Sequence, residues 1–156
     1  MKKILLTMKF WTDGQENSTR IRNVNYTWGK LKNLKNFFLE NNIDCTAKLY
    51  DFSPEKILEE SIHIPFELGS YMKSAKTNKI INSNLDYDFM FMFDCDAFFL
   101  GEDFSSLLEI VRSLEGGNFV TFDLAKLGEI DTVSVIKNDF LDKSFDWSYA
   151  YSGGKN

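Results

Sequence analysis

Residues 87–96 read YDFMFMFDCD, and this stretch decides the fold class. Its first seven residues form a nearly unbroken apolar run, which is typical of a central strand covered on both faces of an α/β sheet. The run ends in Asp94, Cys95 and Asp96. Side chains two residues apart in an extended segment point the same way, so both carboxylates are predicted to converge at the end of a buried strand.

Outside this stretch, predicted strands and helices alternate along the chain. The predicted strands are 3–10, 45–52, 118–122, 132–136 and 147–151, and the predicted helices are 26–39, 53–61, 71–84 and 104–114. Ser53-Pro54-Glu55 is a helix-start signal, and Asp103 is expected to cap the last helix, which Gly116 and Gly117 end. The alternation predicts right-handed crossovers and an α/β, Rossmann-like, mainly parallel sheet with flanking helices. Ligands of such sheets bind beyond the carboxyl ends of the strands.

The composition favours one globular domain, 1–156. Of the 156 residues 44% are apolar and 15 are Phe, which excludes an intrinsically disordered chain. No stretch approaches the roughly 20 apolar residues of a membrane span, and Lys9 interrupts the first apolar run, so no signal peptide is predicted. Two cysteines and one histidine make neither a disulfide framework nor a zinc site, which favours a reducing, cytoplasmic location.

The charge is unevenly distributed. The net charge of −5 and the small number of arginines argue against nucleic acid as a partner. Residues 1–78 carry 12 Lys or Arg and 9 Asp or Glu, whereas residues 79–156 carry 6 and 14. This pattern is either an ordinary solvated surface or a phosphate-binding first half that faces a carboxylate-rich, cation-binding second half.

The two aspartates after the apolar run predict a metal site. Two neighbouring carboxylates repel each other unless a cation lies between them. Hard oxygen ligands with vacant positions suit Mg²⁺ or Mn²⁺ shared with substrate phosphates. The alternative is a pair of turn-forming acids at the end of a strand. The position directly after seven strand residues favours the metal site.

Residues 86–99, DYDFMFMFDCDAFF, resemble the Asp-x-Asp segment of nucleotide-sugar glycosyltransferases of the GT-A fold. The early strand 4–10 and the Lys-bearing helix 73–84 resemble the corresponding elements of those enzymes. Residues 147–154, WSYAYSGG, are similar to the aromatic–Gly-Gly segment of glycosyltransferase family 6, the retaining galactosyl- and N-acetylgalactosaminyltransferases. The resemblance implies a GT-A-type fold that is incomplete at the C-terminus, so that 1–156 corresponds to the donor-binding half.

The resemblance also implies roles for individual residues. Asp94 and Asp96 match the metal ligands, which hold Mn²⁺ or Mg²⁺ and through it the donor diphosphate. The other matched positions are Phe10, Trp11 and Thr12 for the base and ribose, one of Lys73, Lys76 and Asn78 for a donor contact, and Gly153 and Gly154 for the donor sugar. Phe10 and Trp11 either stack on the base or pack in the core. No catalytic residue is assigned.

The implied function is a hexosyltransferase-type reaction. A sugar passes from a nucleotide-sugar, expected to be a UDP-sugar, to a saccharide or glycolipid acceptor. One alternative is an aspartyl-phosphate phosphatase, in which Asp94 attacks phosphate and Asp96 is the acid or base. Phe98 departs from the Thr or Val of that motif. The other alternative is a fragment that binds nucleotide and metal without catalysis. Cys95 is expected to point away from the aspartates into the core, and His63 to lie at the surface.

Overall fold

The computed structural model describes residues 2–12, 18–65, 73–97 and 103–117, together with Val133, Ile136 and Lys137. The chain divides into two compact units, Met1–Phe98 and Phe99–Asn156. The single domain 1–156 that the sequence suggests stays a prediction. Among the described residues, no helix combines the length and apolarity that crossing a membrane requires.

The first unit contains a parallel sheet. Its strands are β1 Lys3–Phe10, β2 Asp44–Asp51, β3 Ile62–His63 and β4 Phe89–Asp94. They lie in the order β3-β2-β1-β4, and every neighbouring pair is parallel. The helices of the described residues are α1 Ser18–Glu40, α2 Lys73–Asn82 and, in the second unit, α3 Ser105–Ser113. The predicted α/β architecture with a parallel sheet is therefore confirmed.

The inner strands of the described sheet are β2 and β1, and β4 is not one of them. Ile4, Leu5 and Leu6 of β1 have no exposed surface, whereas Met92 of β4 is 40% exposed. Within the described part of the chain, β4 has one neighbour, β1, and is the outermost strand. The described sheet therefore differs from the prediction of a central strand at 87–93. The apolar character of a strand indicates that its faces are buried, but it does not indicate how many strands pair with it.

Helix α1 begins earlier than predicted. The predicted start is residue 26, because the segment before that position is polar and rich in Asn, which is typical of a connection. Val24 and Thr27 are both buried and continue the spacing of Leu31, Leu34 and Phe38, so one buried face extends toward the amino end of the helix. After the helix, Asn42 adopts φ +61°, the left-handed conformation expected there.

The predicted helix 53–61 is wrong, and the segment is a loop. The fully buried carboxylate of Asp51 accepts backbone N–H groups from Ser53 at 2.9 Å, Ile57 at 2.7 Å and Leu58 at 3.1 Å. In a helix, the N–H of Ile57 would bond to the carbonyl of Ser53. The carbonyl of Ser53 instead lies 2.9 Å from Nε2 of His63. His63 belongs to β3, a strand that was not predicted from the sequence.

The helix predicted at 104–114 is confirmed as α3, with one difference at its start. Phe104 and not Asp103 occupies the N-cap position, while Asp103 Oδ1 accepts the N–H of Ser105 at 3.0 Å. In the predicted strand 132–136, Val133 and Ile136 have helical backbone, so the prediction is wrong at those two residues. The predicted strands 118–122 and 147–151 lie outside the described residues.

Candidate functional site

A pocket of about 130 Å³ lies at the carboxyl ends of β1 and β4. All its lining residues belong to the first unit, and they come from the end of β1, the first turn of α1, the start of α2 and the end of β4. They are Lys9, Phe10, Trp11, Arg20, Lys73, Lys76, Asp94, Cys95 and Asp96. The pocket occupies the edge of the sheet where parallel α/β proteins bind ligands.

Strand register and helix spacing bring these side chains together. Lys9 and Asp94 are directly paired on the neighbouring strands β1 and β4. Lys73 and Lys76 are three residues apart on α2 and therefore share a helix face. The strands and α2 thus present one carboxylate and three ammonium groups to the same pocket.

Asp94 bridges two lysines. Its Oδ1 lies 3.3 Å from Lys9 Nζ, and its Oδ2 lies 3.1 Å from Lys73 Nζ. Burial alone would raise the pKa of Asp94, but the hydrogen bond from Lys73 and the positive charge of Lys9 outweigh burial and lower it below its ordinary value. Asp94 is therefore ionised at neutral pH and has an ammonium group on each carboxylate oxygen.

Asp96 differs from Asp94 because it is an exposed residue. A divalent metal in this pocket would be held by the carboxylates of Asp94 and Asp96, which are the hard oxygen donors that Mg²⁺ and Mn²⁺ prefer. The described residues contain no group of three or more His, Cys, Asp or Glu around one such position. Water and phosphate oxygens would fill the remaining positions. To bind the ion, Asp94 Oδ2 would have to exchange the Lys73 ammonium group for it.

Lys76 supplies a buried positive charge to the pocket. Its side chain is 2% exposed, and Nζ lies 4.5 Å from the centre of the Trp11 ring. Burial, followed by the charges of Arg20 and Lys9, lowers the pKa of Lys76 to about 8. With Lys9, Arg20, Lys73 and Lys76 against two carboxylates, the pocket attracts anions.

Asn84, just after the carboxyl end of α2, forms hydrogen bonds with two side chains of β2. Its Nδ2 donates to Tyr50 Oη at 2.7 Å and to the carbonyl of Ile80 at 2.6 Å. Its Oδ1 accepts from Lys48 Nζ at 2.6 Å. Asn84 is 3% exposed, so these bonds satisfy a buried amide and hold the helix that carries Lys73 and Lys76.

The residues assigned to the base and ribose have separate places. Trp11 lines the pocket and also packs against a core cluster of Tyr50, Phe52 and Ile80. Phe10 lines the pocket but is 1% exposed. Thr12 is 6% exposed and does not line the pocket, and its N–H donates to Ser53 Oγ at 3.2 Å. Thr12 therefore joins the segments that follow β1 and β2.

The other assigned positions also differ in placement. Of Lys73, Lys76 and Asn78, the two lysines line the pocket, whereas Asn78 is exposed elsewhere on α2. Gly153 and Gly154 lie outside the described residues.

The sequence did not assign Lys9, Arg20 or Cys95 to the site. Cys95 is 4% exposed and lines the pocket, and its carbonyl accepts from Thr27 Oγ1 at 3.3 Å. Burial raises the pKa of its thiol, and the neighbouring Arg20 guanidinium offsets part of the rise. The position of Lys9 near the end of β1 was a usable signal. Arg20 had none, because the first turns of α1 were not predicted.

Comparisons of the chain with protein-family models, with curated proteins and with solved structures find no match. The site is therefore interpreted from its own geometry.

Proposed function

We propose that the chain contains the donor site of a nucleotide-sugar-dependent glycosyltransferase. A UDP-sugar would supply the sugar, a saccharide or glycolipid would accept it, and Mn²⁺ or Mg²⁺ would be bound by Asp94 and Asp96. The supporting observation is that both aspartates, four cationic side chains and Trp11 line one pocket at the carboxyl edge of a parallel sheet.

The charge of the pocket matches the leaving group of this reaction. When the sugar–oxygen bond of a nucleotide-sugar breaks, negative charge develops on the diphosphate. Arg20, Lys73 and Lys76 supply positive charge that is in position before the reaction. A bound divalent ion would add Lewis-acid stabilisation of the same oxygens.

The size of the pocket indicates which part of the donor it takes. Small-molecule sites enclose roughly 300–1,000 Å³, whereas this pocket measures about 130 Å³. The described residues therefore match the diphosphate rather than a whole nucleotide-sugar. Trp11, at the rim after β1, offers an aromatic surface for the adjoining ribose or base.

Thermal unfolding with added UDP tests the proposal. At about five times its dissociation constant, a ligand stabilises the folded state by about 1 kcal/mol. In a chain of this size the melting temperature rises by about 2–4 °C. We expect this rise with UDP and Mn²⁺ together and not in EDTA. Asp96→Asn is expected to abolish it, since Asp96 is a proposed metal ligand.

Asp86→Asn is the matched control, because Asp86 pairs with Lys3 at the opposite edge of the sheet. This variant is expected to respond to UDP and Mn²⁺ like the unmodified chain. An equal rise in EDTA, or an unchanged response of Asp96→Asn, would contradict the metal assignment. Hydrolysis of an aryl phosphate that is lost in Asp94→Asn would favour the phosphatase alternative instead.

A further inference from the structure

We propose that Lys73 is a displaceable internal cation. Its ammonium group pairs with Asp94 Oδ2 and would move to the diphosphate when the donor binds, so that metal and donor bind together. This inference rests on the proposed function and concerns the order in which that site is filled.

The first step is the competition at Asp94. Both of its oxygens have an ammonium partner, Lys9 on Oδ1 and Lys73 on Oδ2. A divalent ion can use Asp94 only if one of these ammonium groups leaves, because two ammonium groups and a divalent ion around one carboxylate repel one another. Metal alone is therefore expected to bind weakly to the unliganded pocket.

The second step identifies which lysine leaves. The side chain of Lys9 is 13% exposed and belongs to a residue that is in strand register with Asp94. The side chain of Lys73 is 53% exposed and lies in the first turn of α2. An exposed ion pair favours its paired over its separated state by at most about fivefold. The pair between Lys73 and Asp94 is therefore the one that is readily broken.

The third step concerns the destination of the Lys73 ammonium group. Lys73 shares a helix face with Lys76, and both line the pocket with Arg20. A diphosphate held there carries more negative charge than one carboxylate and attracts the Lys73 ammonium group. Once Lys73 has moved, Asp94 Oδ2 is open to the metal. Donor and metal must then strengthen each other's binding by the same factor.

Manganese titration followed by electron paramagnetic resonance tests this coupling. The dissociation constant of Mn²⁺ is measured with and without UDP for the unmodified chain and for Lys73→Gln. Without UDP, we expect Lys73→Gln to bind Mn²⁺ about three to five times more tightly, because the competing ammonium group is gone. We also expect UDP to tighten Mn²⁺ binding by a smaller factor in this variant.

Lys79→Gln is the matched control. It removes the same charge from the same helix at an exposed residue that does not line the pocket, so its Mn²⁺ affinity should stay within about twofold. The proposal is overturned if Lys73→Gln binds Mn²⁺ alone no more tightly than the unmodified chain. It is also overturned if Lys79→Gln gains as much.

The metal-alone measurement separates this inference from the proposed function. If UDP fails to bind the unmodified chain in the presence of Mn²⁺, the proposed function is wrong, yet the comparison of Lys73→Gln with Lys79→Gln still decides the competition at Asp94. If UDP and Mn²⁺ bind together but Lys73→Gln leaves both affinities unchanged, the displaceable cation alone is refuted.

Discussion

Lys9 and Asp94 stand opposite each other in the parallel register of β1 and β4, and Lys9 Nζ lies 3.3 Å from Asp94 Oδ1. Backbone pairing therefore orients this carboxylate at the mouth of the pocket. Asp96, two residues later, is exposed and follows the end of β4. The two aspartates of one short motif are thus inequivalent, and their substitution is expected to have different consequences.

Asp94→Asn should destabilise the fold more than Asp96→Asn. Replacing Asp94 removes the carboxylate that bridges Lys9 and Lys73, and Lys9 is largely buried. Because Asp94 itself is partly exposed, we expect a loss of only about 1 kcal/mol, or about 2–4 °C in melting temperature. Asp96→Asn should stay within about 0.5 kcal/mol. Urea unfolding without ligand measures both, and equal losses would argue against the bridge.

The contribution of Asp94 should disappear in acid. Its pKa is lowered in the folded state, so the folded chain binds fewer protons than the unfolded chain as Asp94 titrates. The stabilisation is complete above the ordinary pKa of about 4 and is lost as the pH falls through the lower folded value. The difference in free energy of unfolding between the unmodified chain and Asp94→Asn should therefore shrink below about pH 4. A constant difference would contradict this.

Lys76→Met should stabilise the fold at neutral pH. The pKa of Lys76 is lowered to about 8, so protonating it in the folded state costs up to about 3 kcal/mol. Lys76→Met removes this cost, but part of the resulting gain in stability is offset because the variant loses the contact between the Lys76 ammonium group and the Trp11 ring.

The pH dependence of this gain checks its cause. Between about pH 8 and pH 10.5 the unfolded chain keeps the Lys76 proton while the folded chain releases it, so the unmodified chain gains stability. The advantage of Lys76→Met over the unmodified chain should consequently narrow across this range in urea unfolding. Lys79→Met, at an exposed residue of the same helix, is the control, and an equal narrowing in that variant would indicate a general charge effect.

Asp51→Asn should loosen the loop 53–61. An amide can replace only one of the two carboxylate oxygens that accept the N–H groups of Ser53, Ile57 and Leu58. We expect a loss of about 2–3 kcal/mol, because buried donors lose a charged acceptor. Hydrogen exchange should accelerate at the amides of Ile57 and Leu58. Asp86→Asn, which breaks an exposed pair with Lys3, should cost much less than Asp51→Asn, and equal costs would refute the role of Asp51.

Arg20→Gln should weaken UDP binding in the presence of Mn²⁺ by about tenfold, since a charged hydrogen bond to phosphate is lost. Arg22→Gln is the control, because Arg22 lies on the same helix, contacts Asn23 Oδ1 and does not line the pocket. Isothermal titration calorimetry at constant ionic strength measures both affinities. Equal effects of the two substitutions would indicate a general charge effect instead of a pocket contact.

The apolar runs of the sequence predicted β1, β2 and β4 and the edge of the sheet where Asp94 and Trp11 line the same pocket. They could not predict strand order, because pairing partners leave no signal in a single run. The helix-start signal Ser53-Pro54-Glu55 failed because it depends on local preference alone. The buried carboxylate of Asp51, at the end of β2, takes the N–H groups of Ile57 and Leu58 that a helix would use.

The site was predictable to the extent that it depends on alternation within strands and on helix spacing. Asp94 follows such a rule at the end of β4, whereas Asp96 lies in the turn after that strand. Lys73 and Lys76 are expected from the resemblance, and all four residues line the pocket. Arg20 also lines the pocket but is not predicted, because its position requires α1 to begin at Ser18. The pairing of Asp94 with Lys9 depends on the register between β1 and β4, which a single run does not reveal.

The hydrogen bonds of Asn84 at the end of α2 have a consequence for the rate of ligand binding. Because Asn84 holds the end of this helix to Tyr50 and Lys48, the proposed release of Asp94 by Lys73 would involve rotation of the exposed Lys73 side chain and not movement of that end of the helix. Such rotations take picoseconds to nanoseconds. Association of an anionic donor would then be limited by diffusion toward a positively charged opening, and its rate constant would fall as the ionic strength rises.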